Sequence, residues 1–579
     1  MRTSSIRRTH GGLLSAFVLG CLLSGTFMVT AARAQVTTVF YILLENRCWT
    51  SGTDISYSNV IKGNAACPYL NSLVTASNTN SAQVSYATAY HNVLTNATGD
   101  AVSMIGTTAT NGFGIGGSVH PSEPNYVFME AGSNLSKYDD NDPYGSTNSV
   151  AQIANFLAKY PQYSGENLCA LLQNNGISWR AYVEGTCLEN NSGQDYDSAL
   201  TGNLTNTVAP PGVRTMPLVS FSGSNSSYTN EYNGSHQWNF AVKHTGSLFF
   251  PATNGSTVTT PNTSSTNIEI SHYAPLEQLS SDLANNTVAA YNVITPDQYN
   301  DGHTALSGTF VYNGVGGYAG GSDLARLAQM DNFCSIVVPE IQASANYQAG
   351  HTAIVIWTDE TEGSPQDDYY HTLTEIVISP LCKGNAYAGT LNYTHSSDVA
   401  TMQEIFGVVA NTPTGYLNDA ANFSNATTGT PVNYDGTHGF AGQTAVGQPF
   451  PGFGTGTAQD LSDLFTPGTI PSGLPGLSLT ASGYAFNRHT NVYTQTVTVT
   501  NVLSQPITGS IYLVLANLNT TLNNSAGTTV NNAPGSPYVT VSAGGLAAGA
   551  STTVSLQFAP PSSGPISDQM DSLITTNQP

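Results

Sequence analysis

The chain has 579 residues, a formal net charge of −22, and only 9% charged residues against 40% apolar ones. Such a length points to more than one domain, and such an apolar share to a sizeable core. The acidic balance excludes nucleic acid or an anionic membrane as an electrostatic partner, but leaves a phosphate substrate open, because a bound cation reverses the local sign.

Residues 1–34 have the pattern of an export signal. Arg2, Arg7 and Arg8 precede an apolar core from Leu13 to Val29, and Ala32-Arg33-Ala34 offers a small-x-small cleavage site. A secreted or periplasmic location follows, with no membrane-spanning segment in the mature chain. Cleavage removes Cys21 and leaves Cys48, Cys67, Cys169, Cys187, Cys334 and Cys382. An even number of cysteines in an exported chain suggests disulfides. Pairing neighbours in sequence (Cys48 with Cys67, Cys169 with Cys187, Cys334 with Cys382) closes the shortest loops and is the expected connectivity. No Cys/His spacing suits a zinc–thiolate site.

Residues 35–440 alternate strand-like and helix-like stretches, so an α/β catalytic domain is expected there. Strands are predicted at 37–44, 178–183, 287–295, 352–357 and 373–379, and helices at 148–158, 322–333 and 397–407. "AIVIW" and "TEIVIS" are near-continuous apolar runs, as in a sheet covered on both faces. Residues 185–265, rich in Asn, Ser, Gly and Thr, read as long loops or a cap. In "SWRAYVEG", Arg180 and Glu184 are expected to form an ion pair. A Gly/Pro-rich linker spans 441–475. Over 476–579, alternating segments such as "VYTQTVTVTNV" predict an all-β sandwich of immunoglobulin-like kind, an accessory module without catalytic groups.

Polar groups at the ends of apolar runs mark the chemistry. Glu45-Asn46 closes "VFYILL", Asp359-Glu360 closes "AIVIWT", and "TPDQYNDGHT" follows "AAYNVI". Ligands of open α/β sheets bind at the carboxyl ends of strands. Carboxylates converging there repel unless a cation neutralises them, and hard oxygen donors suit a divalent ion. In "HPSEPNY", two prolines fix Ser122 before a helix-like stretch. A hydroxyl at a helix N-terminus is placed to attack a phosphate.

"LLEN", "HPSEPNY", "SWRAYVEG", "NDGH", "IVIWTDE", "IVISPL" and "THSSDVATMQEIFG" resemble, in this order over roughly residues 36–440, the bacterial phosphoesterase family. That family contains acid phosphatases and phospholipases C and lies within the alkaline-phosphatase-like superfamily. The resemblance implies an alkaline-phosphatase-like sheet sandwiched by helices and a phosphoric ester hydrolase acting through a phosphoserine intermediate. It implies Ser122 as nucleophile and a divalent metal ion held by Glu45, Asn46, Ser122, Asp359 and Glu360. His303, His244, His91 and His395 take catalytic roles, with Asn46, His303 and His244 binding substrate and Asp301 supporting His303. Relatives carry Ser-Phe-Asp where this chain has Cys48-Trp49-Thr50, and many have His where it has Thr361, which argues for one metal rather than two. A phospholipase C acting on lipid head groups is the enzymatic alternative. A non-enzymatic exported adhesion protein is the alternative of another class.

Overall fold

The computed structural model describes residues 35–50, 59–92, 121–132, 140, 166–186, 220–254, 272–312, 316–361, 372–410, 416–417, 460–471, 474, 477–501, 506–507, 510–529, 535–562, 564–567 and 569–575. All of these lie in one compact unit, Ala34–Pro579. The export signal, the helix expected at 148–158, Cys187 and most of the 441–475 linker lie outside the described residues.

An eight-stranded sheet positions everything that follows. In chain order its strands are β1 (Thr38–Leu44), β2 (Val84–Tyr90), β3 (Trp179–Val183), β4 (Tyr273–Pro275), β5 (Tyr291–Thr295), β6 (Thr352–Thr358), β7 (Glu375–Ile378) and β8 (Tyr387–Tyr393). Their spatial order is β8-β2-β7-β6-β1-β5-β3-β4. The pairs β1–β6, β1–β5, β3–β5 and β3–β4 are parallel, and β7 alone runs against its neighbours β6 and β2. In β1 and β6 the register runs level to the last pair, Leu44 opposite Thr358. The two strands therefore release Glu45 and Asp359 at the same height.

Alternation within β1 sorts its side chains between two cores. Val39, Tyr41 and Leu43 enter one apolar cluster, and Phe40, Ile42 and Leu44 enter the other. Helices α1 (Pro68–Leu73), α4 (Gln278–Asn285) and α5 (Asp323–Ala343) supply the second cluster. Helices α2 (Ser122–Ala131), α3 (Leu168–Asn174) and α6 (His395–Phe406) supply the first. Burial on both faces is why these strands read as unbroken apolar runs rather than as alternation. In α5, Ser322 caps the start, its Oγ accepting the Ala325 N–H at 3.2 Å. The helix continues through Pro339 to Ala343, ten residues past its predicted end.

Within the expected cap, Phe221–Ser224 and Gln237–Phe240 form a hairpin. Short 3₁₀ turns over Val242–His244 and Gly246–Phe249 follow and pack against α2. Part of the expected linker is also packed: Leu461, Leu464 and Phe465 enter the first core cluster, and Lys383 pairs with Asp463 at 2.5 Å. Past residue 476, strands Leu477–Ala481, Ala485–Asn487, Val492–Asn501 and Ser551–Phe558 form one four-stranded sheet. Ser510–Ala516, Gly527–Thr528, Pro537–Ser542 and Gln569–Thr575 form another. Val497, Val499, Leu513, Leu515 and Leu556 share one core cluster between them.

Two expectations are corrected here. The disulfide pairing is not made: Cys67, Cys169, Cys334 and Cys382 are buried free thiols. Cys334 and Cys382 belong to the clusters on opposite faces of the sheet. Cys67 Sγ faces the Leu327 carbonyl at 3.7 Å, and Cys169 Sγ lies 3.3 Å from Glu130 Oε1. The Arg180–Glu184 pair is also absent. Four residues of strand span ~13 Å, and Arg180 instead meets Asp282 at 2.6 Å, with Tyr182 donating to the same carboxylate at 2.8 Å. Unreduced, denatured protein is expected to react with a thiol reagent at Cys67, Cys169, Cys334 and Cys382. Peptide mapping that recovers any of the four in a disulfide would reject these free thiols.

Candidate active site

The site forms where β1, β5 and β6 end and α2 begins. Immediately past Leu44, Glu45 is fully buried. The next residue, Asn46, adopts a left-handed backbone with φ 48°, an uncommon conformation that a β-strand exit tolerates only when neighbours fix it. Its N–H donates to Asp359 Oδ1 at 3.0 Å, tying the β1 exit to the β6 exit. The Asp359 N–H in turn donates to the Leu44 carbonyl at 3.2 Å. Gly302, in the loop after β5, has φ 105°, and a Cβ there would stand 3.1 Å from the Glu45 carbonyl. Only glycine fits that approach.

Ser122 opens α2, a ten-residue helix ending at Gly132, whose φ of 64° is the left-handed conformation favoured at helix ends. Its Oγ lies 2.9 Å from Glu45 Oε2 and 3.1 Å from Glu360 Oε1, with one hydrogen to donate to either. Asn125, one turn along the same helix, donates from Nδ2 to Glu360 Oε2 at 3.3 Å. The hydroxyl thus sits between two carboxylates at a helix N-terminus.

His244 approaches from the 3₁₀ turn after the hairpin. Its Nδ1 lies 3.2 Å from Asp301 Oδ2, its Nε2 lies 3.0 Å from Glu45 Oε1, and its ring stacks on Tyr126 at 4.9 Å. Burial holds the His244 imidazole well below its ordinary pKa, so the ring is neutral. With the Nδ1 proton given to Asp301, Nε2 presents a lone pair to Glu45 Oε1. Neither atom has a hydrogen-bond partner. Two lone pairs 3.0 Å apart in a buried site require a proton or a cation between them. Asp359 Oδ2 is a further buried oxygen without a partner.

Asp301 also accepts the backbone N–H of His303 at 2.7 Å, so one carboxylate holds the His244 ring and the loop that carries His303. His303 Nδ1 is 2.9 Å from the Thr304 hydroxyl. Burial and the neighbouring His244 push the His303 pKa down to about 3. His91, at the end of β2, has Nε2 3.3 Å from Asn392 Oδ1. His395 is fully buried, with Nε2 2.7 Å from the Asp359 carbonyl and Nδ1 3.0 Å from the Tyr90 hydroxyl. Both its nitrogens are engaged inside the protein.

The structure therefore gathers Glu45, Asn46, Ser122, Asp359, Glu360, His244 and Asp301 and sets His303 beside them. Asn125 and Tyr126 join this set without having been singled out in the sequence. The "SEPN" turn was the available signal for Asn125, since helical spacing carries its side chain to the face of Ser122. Among the described residues, no three His, Cys, Asp or Glu side chains stand disposed to hold a metal ion by themselves. The oxygen groups nearest one another here are Glu45, Glu360 and the Ser122 hydroxyl, with Asp359 beside them, and Glu45 Oε1 and Asp359 Oδ2 have no hydrogen-bond partner.

Burial raises these acids. Glu45 is pushed up to about 8 by desolvation and by Glu360, and desolvation raises Asp359 well above the usual carboxylate range. Away from the site, desolvation lifts Glu130 and Asp398 to about 7 each. A raised carboxyl pKa means that the folded chain binds more protons than the unfolded one, so stability falls as pH rises between the two values. In chelator, the urea midpoint is expected to fall between pH 5 and pH 8. A midpoint that rises over that range would contradict the buried-acid electrostatics.

No curated protein matches the sequence. Among solved structures, a protein of the alkaline phosphatase superfamily from Vibrio parahaemolyticus is 7% identical over 80% of this chain and 77% of its own, with a TM-score of 0.32. A phosphonate monoester hydrolase from Silicibacter pomeroyi is 10% identical over 80% and 87%, with a TM-score of 0.29. Residues 113–313, which include Ser122, His244, Asp301 and His303, match the Phosphoesterase family. Over that segment the chain is similar to the Phosphoesterase family, and the match points to a phosphoric ester hydrolase.

Proposed function

We propose that the chain is an exported, metal-dependent phosphoesterase that hydrolyses phosphate esters through a phosphoserine intermediate on Ser122, in the manner of acid phosphatases. The observation that carries this reading is the Ser122 hydroxyl held between Glu45 and Glu360 at the start of α2. A carboxylate next to a hydroxyl accepts its proton, and amides at a helix N-terminus attract the phosphate.

The carboxylates around Ser122 would repel a phosphate if they were left uncompensated. A divalent ion held by Glu45, Asn46, Ser122, Asp359 and Glu360 would neutralise them and favour the serine alkoxide. The steps themselves belong to the chain's own groups. Ser122 Oγ attacks phosphorus, its proton passing to the carboxylate beside it. The Oγ–P bond forms as the bond from phosphorus to the ester oxygen breaks, and the alcohol leaves with the proton that the carboxylate took from Ser122. Water then attacks the phosphoserine, and phosphate departs as the Oγ–P bond breaks. His303, neutral and fixed through Nδ1 by Thr304, has Nε2 to offer a non-bridging oxygen. Asp301 fixes His244 so that its Nε2 lone pair faces Glu45 rather than the phosphate oxygens. Neutral imidazoles used as hydrogen-bond partners add no charge to be reorganised during reaction.

In the same reading, residues 1–34 direct export, 35–440 form the catalytic domain, 441–475 the linker, and 476–579 an immunoglobulin-like accessory module. Ser122→Ala is expected to lower kcat on p-nitrophenyl phosphate by about 10³-fold or more while leaving the circular dichroism unchanged. Acid-quenched wild-type enzyme should yield a phosphorylated peptide spanning Ser122, and undiminished turnover by the variant would sink the nucleophile. Glu45→Gln keeps the shape and removes the charge. It should cost about 10–100-fold in activity and in divalent-ion affinity, and wild-type values for both would refute the role of Glu45.

A further inference from the structure

Behind the site, on the face of the sheet covered by α2 and α6, lies a chain of buried polar groups that the reaction above does not use. Tyr41 and Tyr90 both direct their hydroxyls to Asp398, one to each carboxylate oxygen. Trp357 Nε1 donates to the Tyr90 hydroxyl at 2.9 Å. That hydroxyl is 3.0 Å from His395 Nδ1, and His395 Nε2 is 2.7 Å from the carbonyl oxygen of Asp359. Tyr41, Tyr90, His395 and Asp398 are all fully buried.

The chain has a direction. A carbonyl oxygen only accepts, so His395 Nε2 carries a hydrogen and donates it to Asp359. The imidazole plane is held from its other side by Tyr90. Aromatic neighbours close the remaining space: Trp357 lies 5.0 Å from the ring centre at 61°, and Phe128 lies 6.0 Å away at 66°. The Tyr90 hydroxyl has one hydrogen, so it donates to Asp398 or to His395 Nδ1 at any one time, and its oxygen stands within reach of both. Asp359 is thereby anchored at three atoms. Its N–H is bound to Leu44, its Oδ1 receives the Asn46 N–H, and its carbonyl receives His395. The first two anchors tie it to β1, and only the third ties it to α6.

We propose that His395 is a positioning residue, held in plane by Tyr90 and Asp398, that fixes the Asp359–Glu360 peptide so that Glu360 meets Ser122 and Asp359 meets the β1 exit in one geometry that suits a shared cation. This rests on the phosphoesterase reading of the site and assigns His395 no contact with substrate. A lost bond here is not replaced by solvent, because water has no access to these atoms, so the carbonyl would be left unpaired or would move. Partners of this kind, one step removed from the ligands, typically contribute 10–100-fold to activity or metal affinity.

The test uses the full-length protein with Tyr90→Phe, His395→Phe and His395→Gln. Three quantities are read: kcat and KM on p-nitrophenyl phosphate, the Kd for Mn²⁺ by calorimetry on chelator-treated protein, and the urea midpoint. Tyr90→Phe removes one hydroxyl and keeps the ring. It should lower kcat and weaken Mn²⁺ binding by about tenfold, with KM within about twofold. His395→Phe should lose more of both, and His395→Gln, which restores an N–H donor, should recover part of the loss at equal or lower stability. Wild-type kcat and Kd in Tyr90→Phe would overturn the proposal. So would variants whose losses follow the urea midpoint alone, with Gln no better than Phe. If wild type binds Mn²⁺ but turns over no phosphate ester, the phosphoesterase reading fails and the affinity arm still decides the role of His395. A wild type that binds no Mn²⁺ overturns it.

Discussion

The level ending of β1 and β6 is the constraint on which the site depends. The register carries through to Leu44 opposite Thr358, and the next residue of each strand is an acid. Two carboxylates delivered at one height from adjacent strands repel each other, and burial strengthens that repulsion. The surrounding structure answers it atom by atom. Ser122 and Asn125 donate into the acids, Asn46 turns its N–H onto Asp359, and His244 faces Glu45. Even so, Glu45 Oε1 and Asp359 Oδ2 stay without hydrogen-bond partners, and such buried oxygens call for a proton or a cation.

Much of this was legible in the sequence because it lies on strand ends. An apolar run that stops on a polar residue is a local signal, and Glu45, Asp359 and Glu360 each stand just beyond one. Ser122 was legible from its prolines and the helix-like stretch after it. The failures share a different cause. Glu184 was paired with Arg180 because the two are close in sequence. In the fold Glu184 accepts from the amides of Asn230 and Asn300 at 2.6 Å each, while Arg180 finds Asp282 about a hundred residues away. Cysteine spacing likewise carries no information about which face of the sheet each thiol occupies, and the face is what keeps Cys334 from Cys382.

His395 shows a subtler limit. A resemblance in motif marks a residue as belonging to the machinery, yet it does not say whether the ring touches substrate or holds a neighbour. That distinction lies in the partners of the two nitrogens. Those partners come from β2 and from the exit of β6, more than thirty residues away in either case. Asn125 was overlooked for the converse reason, since a polar residue inside a buried helix has no contrast with its surroundings until the sheet edge is set against it.

The two-sided burial of β1 also limits how its sequence can change over time. Its residues alternate between two separate cores, so one inserted residue would exchange every side chain between them. The same insertion would carry Glu45 about 3.3 Å past Asp359, more than the length of the hydrogen bonds that join the two exits. Lengths of β1 and β6 are therefore inherited together, and a lineage can lengthen the loops beyond them far more readily than the strands themselves. Insertions and deletions should accumulate outside these two strands while their residue counts stay fixed, whatever else in the chain diverges.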